Sequence, residues 1–175
     1  MPSDTKQAIA AAFAQTSQKK TVDKITVKDL VEHCGISRQT FYYHFQDILD
    51  VMEWSIRQLL QKAMDNGLHM PSEAEAIEEF IIVATTYGDV LLRLLNSQKR
   101  EQVESFFVTA MSTCIQQFIV ARKPDWKFNH ADWTMVLRFY ACGMTGVILD
   151  LCRKKDVDYK QLSVQLAELL SGNLI

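Results

Sequence analysis

Between Thr26 and Phe45 the chain starts a helix, stops it and starts another, and no other feature constrains its fold as tightly. Thr26 with Asp29 is a capping pair, in which a hydroxyl and a carboxylate answer the free backbone N–H groups of a first turn. Val27, Leu30 and Val31 give the short helix that follows one inward face. Cys34-Gly35-Ile36 then stops it, glycine supplying a backbone freedom that other residues resist. Ser37 starts the next short helix at once, with Phe41 and Phe45 turned inward beside Ile36. Two short helices joined by a tight turn form a helix-turn-helix, the geometry that places a second helix in a DNA major groove.

The remaining sequence is helical in period almost throughout. Asp4 with Gln7 predicts the start of a first helix that buries Ile9, Ala12 and Phe13 and fades near Gln18. Asp47 with Asp50 starts a fourth helix, running to about Asp65 with Met52, Ile56, Leu59, Leu60 and Ala63 on one face. Asn66-Gly67 and Pro71 mark a break, and Ser72 with Glu75 opens a helix with Ile77, Phe80, Ile81 and Ala84 inward. Gly88-Asp89 interrupts before a short helix over 90–95. Val103, Phe106, Phe107, Ala110, Met111, Cys114, Ile115 and Phe118 then follow helical spacing until Pro124 ends the run. Asn129 with Asp132 caps a long helix to about Cys152, and a last helix covers about 158–170. No strand alternation competes. The expectation is an all-α fold of about nine helices. It divides into a three-helix helix-turn-helix DNA-binding domain over residues 1–47 and a helical effector-binding and dimerisation domain over 48–175.

With 175 residues, 48% of them hydrophobic, the chain can bury a real core. Its net charge of −2 does not announce a nucleic-acid partner, and no segment hides a basic excess. Residues 1–52 carry six Lys/Arg against six Asp/Glu, leaving 13 against 15 for the rest. DNA contact therefore depends on local placement. The third helix offers that placement, because Arg38 with Tyr42 and Gln39 with Tyr43 form two pairs on its outer side. Arginine suits guanine edges, glutamine suits adenine edges, and hydroxyls suit phosphate oxygens. Packing requires none of these. Lys19-Lys20 read as a solvated helix end.

Cys34, Cys114, Cys142 and Cys152 stand far apart without a CxxC pair, and most fall in apolar helical stretches where cysteine acts as a small hydrophobe. The N-terminus carries no signal-peptide pattern, and the apolar runs are shorter than a membrane span. A cytoplasmic protein with no membrane partner is the expectation.

The string Thr26-Val27-Lys28-Asp29-Leu30 … Gly35-Ile36-Ser37-Arg38-Gln39-Thr40-Phe41-Tyr42-Tyr43-His44-Phe45 resembles the signature of the tetracycline-repressor (TetR) family of regulators. Within that family, Arg38 to Gln46 and Trp54 look like the branch containing the activator of dihydroxyacetone-kinase operons. The resemblance implies base contacts from Arg38, Gln39 and Thr40 with Lys28 at the groove edge. It implies phosphate contacts from Tyr42, Tyr43 and His44, and includes Ser37 in the DNA-facing string. One position departs from the pattern: members usually place a lysine three residues after the closing Phe, and here that residue is Ile48, flanked by Asp47 and Asp50.

Two regions of the second domain are open to more than one reading. Phe80, Phe107, Met111, Trp133 and Phe139 are either plain core or the lining of a cavity for a small apolar effector, and the resemblance favours the cavity. In the helix over 129–152, Trp133, Val136, Leu137, Tyr140, Met144, Val147, Ile148 and Leu151 trace one apolar stripe, while Met135, Phe139, Cys142, Gly146 and Leu149 trace another. A helix apolar on both sides must be covered on both. Gly143 and Gly146 would admit a second helix at close range, or leave room for a ligand. The resemblance implies a homodimer in which the last two helices, with Leu162 and Leu166, bundle with their copies. Control then comes from a small-molecule effector or from a protein co-regulator. An enzyme is the remote alternative, since the chain has no phosphate loop, dinucleotide fingerprint, metal-binding His pair or nucleophile elbow. No catalytic, cofactor or metal residue is assigned; His69 and His130 have no second ligand at helical spacing.

Overall fold

In the computed structural model, which describes residues 2–122, 129–154 and 157–170, the helix starts read from the sequence are made by side chains. Thr26 Oγ1 accepts from the Asp29 amide at 3.3 Å while Asp29 Oδ2 accepts from the Thr26 amide at 2.8 Å. Ser72 and Glu75 repeat that reciprocal pair at 3.2 and 3.0 Å. Asp47, Asn129 and Asp158 each accept from the amide three residues on. Local pairs such as these satisfy donors that a helix start leaves open, so they define a boundary without long-range help.

Nine α-helices and one 3-10 turn follow among the described residues, and no strand is present there. The first four are α1 (Pro2–Lys19), α2 (Val27–Cys34), α3 (Arg38–His44) and α4 (Ile48–Leu68), the 3-10 turn Val22–Lys24 joining α1 to α2. Then come α5 (Glu73–Thr86), α6 (Gly88–Leu95), α7 (Arg100–Arg122), α8 (His130–Leu151) and α9 (Tyr159–Leu170). Helix α1 begins before Asp4, which sits in the first turn and is not the cap. Helix α4 continues through Asn66-Gly67 where the sequence reading placed a break. Gly67 is there for space: a Cβ would stand 3.2 Å from the Ala76 carbonyl oxygen of α5. Pro124 lies outside the described residues, as does the side chain of His130.

The chain forms two compact units. One comprises residues 1–57 and 90–106, the other 58–89 and 107–175. The first therefore extends past residue 47, and Val51, Met52 and Ile56 of α4 are buried. Its helix-turn-helix packs α1 against α2 and α3 around Ile9, Phe13, Leu30, Phe41 and Phe45, all at most 2% exposed. The Phe45 ring meets Trp54 edge-on at 6.0 Å and carries Lys6 Nζ 5.1 Å above it. Asp23 in the 3-10 turn accepts from the Gln98 amide just before α7, at 3.1 and 3.3 Å to its two oxygens. In the second unit α5 packs along α9 and touches α8. Gly88 at the head of α6 allows Cys152 to approach, since a Cβ there would lie 3.1 Å from its sulfur. Helices α7 and α8 are long and apolar enough to cross a membrane by length and composition alone, a test that the core helices of folded domains also pass.

Candidate DNA-binding face and effector cavity

Gly35 closes α2 in the left-handed conformation (φ 65°, ψ 30°), and the Ile36 amide returns to the Val31 carbonyl at 3.0 Å. That turn brings Ser37 to the start of α3, where its Oγ accepts from the Thr40 amide at 3.0 Å and pairs with the Thr40 hydroxyl at 2.9 Å. With Phe41 and Phe45 buried, the opposite side of α3 must face outward. Arg38 and Gln39 are exposed there, as are Tyr42 (56%) and Tyr43 (82%). Tyr43 stacks edge-on against half-buried His44 at 5.0 Å. Exposed lysine Lys28 on α2 lies 3.7 Å from Glu32, a solvated pair worth little. So Arg38, Gln39, Tyr42 and Tyr43 share one open face, while Ser37 and Thr40 spend their hydroxyls on each other.

Charge around this face is fixed by local bonds. Asp29 accepts from the Lys20 ammonium at 2.8 Å and from the Thr26 hydroxyl at 2.8 Å, and these bonds, with the Thr26 amide, hold its carboxyl down to about 2. At the head of α4 the Gln46 amide donates to Asp50 and the Asp50 amide to Asp47. Two of the donors that a phosphate could use near that helix start are therefore taken by the protein's own acids.

The second unit holds a cavity of about 120 Å³. Of the residues expected around a cavity, Phe80 and Met111 line it. Phe107 is buried but lies away from it, Trp133 is half-buried elsewhere on α8, and Phe139 points to solvent at 71% exposure. The rest of the wall includes Met64, Ile77, Cys114, Phe118 and Met144. Burial, with the charge of Asp65 behind it, pushes the Cys114 thiol up to about 11. Arg122 was not singled out in the sequence. Its Nη2 donates to the Gly67, Leu68 and Met70 carbonyls at 3.1, 3.3 and 2.5 Å, and its guanidinium lies 5.4 Å over the Phe118 ring. A lone arginine closing an apolar helix was the only signal for it.

One stripe of α8 turns inward through Met144, Ile148 and Leu151, while the other is open. Met135, Phe139, Cys142, Gly143 and Gly146 are exposed, and a Cβ at either glycine would meet nothing within 4 Å. On α9, Leu166 is buried in its own chain and Leu162 half-buried; Val164 and Leu169 are the exposed apolar residues. Among the described residues no group of three or more His, Cys, Asp or Glu side chains could hold a metal ion.

A tight turn that presents this outer face on its second helix is the arrangement by which a helix-turn-helix meets DNA. Residues 8–53 match the model for bacterial regulatory proteins of the tetR family. No curated protein matches it. Among solved structures it is similar to the dihydroxyacetone kinase operon activator DhaS, at 17% identity over 97% of this chain and 96% of that one (TM-score 0.70). Lin0861 from Listeria innocua is similar at 17% identity over 96% and 90% (TM-score 0.74). The TetR family repressor AlkX from Dietzia sp. strain DQ12-45-1b, implicated in biodegradation of n-alkanes, is similar at 16% over 97% and 94% (TM-score 0.58). At these identities the likeness concerns the fold.

Proposed function

We propose that this protein is a cytoplasmic transcriptional regulator that binds a palindromic operator as a homodimer and is controlled by a small-molecule effector. The observation that carries the DNA role is the α3 face: two inward Phe side chains fix the helix, and Arg38, Gln39, Tyr42 and Tyr43 stand free of the core on its other side. Arg38 and Gln39 are the base-reading pair, and Tyr42, Tyr43 and His44 are aimed at the backbone, with Lys28 at the groove edge. Ser37 and Thr40 shape the helix start, and Thr40 meets the DNA through what its bond to Ser37 leaves free.

Support for a dimer comes from the open stripe of α8, where Met135 and Phe139 flank two exposed glycines. A recognition helix of seven residues also needs a second half-site for useful affinity. Gly143, Gly146 and Leu162 belong to that surface in this reading, with Val164 and Leu169 taking the place of the buried Leu166. Support for effector control comes from the apolar cavity in the second unit. Site selection from random duplexes, followed by sedimentation of the complex, tests the whole reading. A palindrome bound by two chains is expected; an unpaired or arbitrary site bound by one chain would refute it.

A further inference from the structure

We propose that the cavity takes one small, uncharged, apolar molecule of about benzene size and rejects carboxylates, ammonium groups and polyols of similar size. The proposal rests on the effector reading above and narrows it.

Size sets the first limit. Drug-sized ligands occupy pockets of roughly 300–1,000 Å³, whereas a dry apolar cavity of about 150 Å³ already holds benzene. At about 120 Å³ this cavity belongs with the second kind. Met64, Met111 and Met144 stand on its wall, and unbranched thioethers adjust to a guest and make favourable contacts with ring edges.

Charge sets the second limit. Among the described lining residues Arg122 is the one cation, and its Nη2 already serves three backbone carbonyls while its guanidinium covers the Phe118 ring. A ligand carboxylate would have to draw Nη2 from those partners or make do with the hydrogens on Nη1 and Nε. It would also face the Glu73 carboxylate on the same wall and the Asp65 charge that reaches Cys114. An ammonium group would meet Arg122 instead, and Glu73, the acid it could pair with, is already engaged within the chain. Either charge would be desolvated with at most part of a shared partner, which is costly. A polyol fares no better: the Tyr140 hydroxyl and the Cys114 thiol, which stays protonated and donates weakly, are too few partners for several hydroxyls, and most of the remaining described wall is methionine, isoleucine and phenylalanine. Arg122 thus braces the wall and does not anchor the guest.

Toluene, benzoate, benzylammonium and glycerol form a probe series of similar size and different polarity. With the full chain labelled at its methionine methyl carbons, toluene should move the Met64, Met111 and Met144 resonances and leave Met52 and Met135 in place. At ten times its Kd it should raise Tm by about 3–6 °C. Benzoate and benzylammonium should bind at least about 100-fold more weakly, and glycerol should move nothing. Cys114→Phe, which fills the cavity, should abolish the toluene response; the methyl shifts in the unaltered chain stand without that variant. Benzoate binding tighter than toluene and weakened in Arg122→Gln would overturn the assignment, as would toluene shifts absent or spread over all methionines. Operator affinity measured alongside separates this claim from the one beneath it. Toluene seated at these three methyl groups with operator affinity unchanged supports the cavity's chemistry and counts against effector control. Benzoate seated there with operator affinity altered does the reverse.

Discussion

Arg38 and Tyr42 stand one turn apart on the outer side of α3, and the Tyr42 ring rests edge-on against buried Phe41, so Tyr42→Phe takes away the hydroxyl and keeps that contact. Arg38→Ala should cost about 1–3 kcal/mol on the preferred DNA site and relax preference at one base pair in each half-site. Tyr42→Phe should weaken all sequences more evenly, and neither should lower Tm appreciably. Competition binding on preferred and random duplexes, with a thermal melt of each variant, checks both. Asp29 is a different case because its carboxylate organises the motif from within. Its folded pKa of about 2 lies below the ordinary 3.8, so its contribution to stability is complete above about pH 4 and fades as pH falls toward 2. Asp29→Asn should lower stability at neutral pH and flatten the acid limb of the stability profile over that window, read by denaturant titration at several pH values.

At the scale of elements, what could be read in the sequence follows how local its cause is. Thr26/Asp29, Ser72/Glu75 and Asn129/Asp132 each close a bond over three residues, so those helix starts were legible. The Arg122 clamp spans more than fifty residues to the end of α4 and has no periodic signature. Gly67 looked like a terminator and is instead a contact point inside α4, because only the fold brings Ala76 beside it. Likewise, period showed which residues share a stripe on α7 and α8 but not what covers them. Phe80 and Met111 therefore reached the cavity while Phe107, Trp133 and Phe139 did not. The head of α4 yields its own prediction. With Ile48 in place of a lysine, and with the Gln46 and Asp50 amides engaged by Asp50 and Asp47, few phosphates should be neutralised there. Ile48→Lys should steepen the slope of log affinity against log salt by about one unit and tighten binding to random DNA. An unchanged slope would place that helix end off the backbone.

For the whole molecule, function depends on whether the open stripe of α8 is covered by a second copy. Such an interface should bury more than about 2,000 Å² in total. Gly146→Glu would set a charge in it without a partner, and should split the dimer or unfold the chain. A folded monomer should also lose its preference for the operator, since each half-site alone binds weakly. A variant that stays dimeric would move the interface away from Gly146. The central claim is that α3 of two chains reads one palindrome, and one measurement tests it directly: binding of the protein to its selected site, to a single half-site and to random duplex at one salt concentration. Affinity for the full palindrome should stand about 10³-fold or more above that for random DNA, with half-sites centred about 34 Å or a multiple of it apart and little preference for the half-site. Equal affinity for all three duplexes would contradict it.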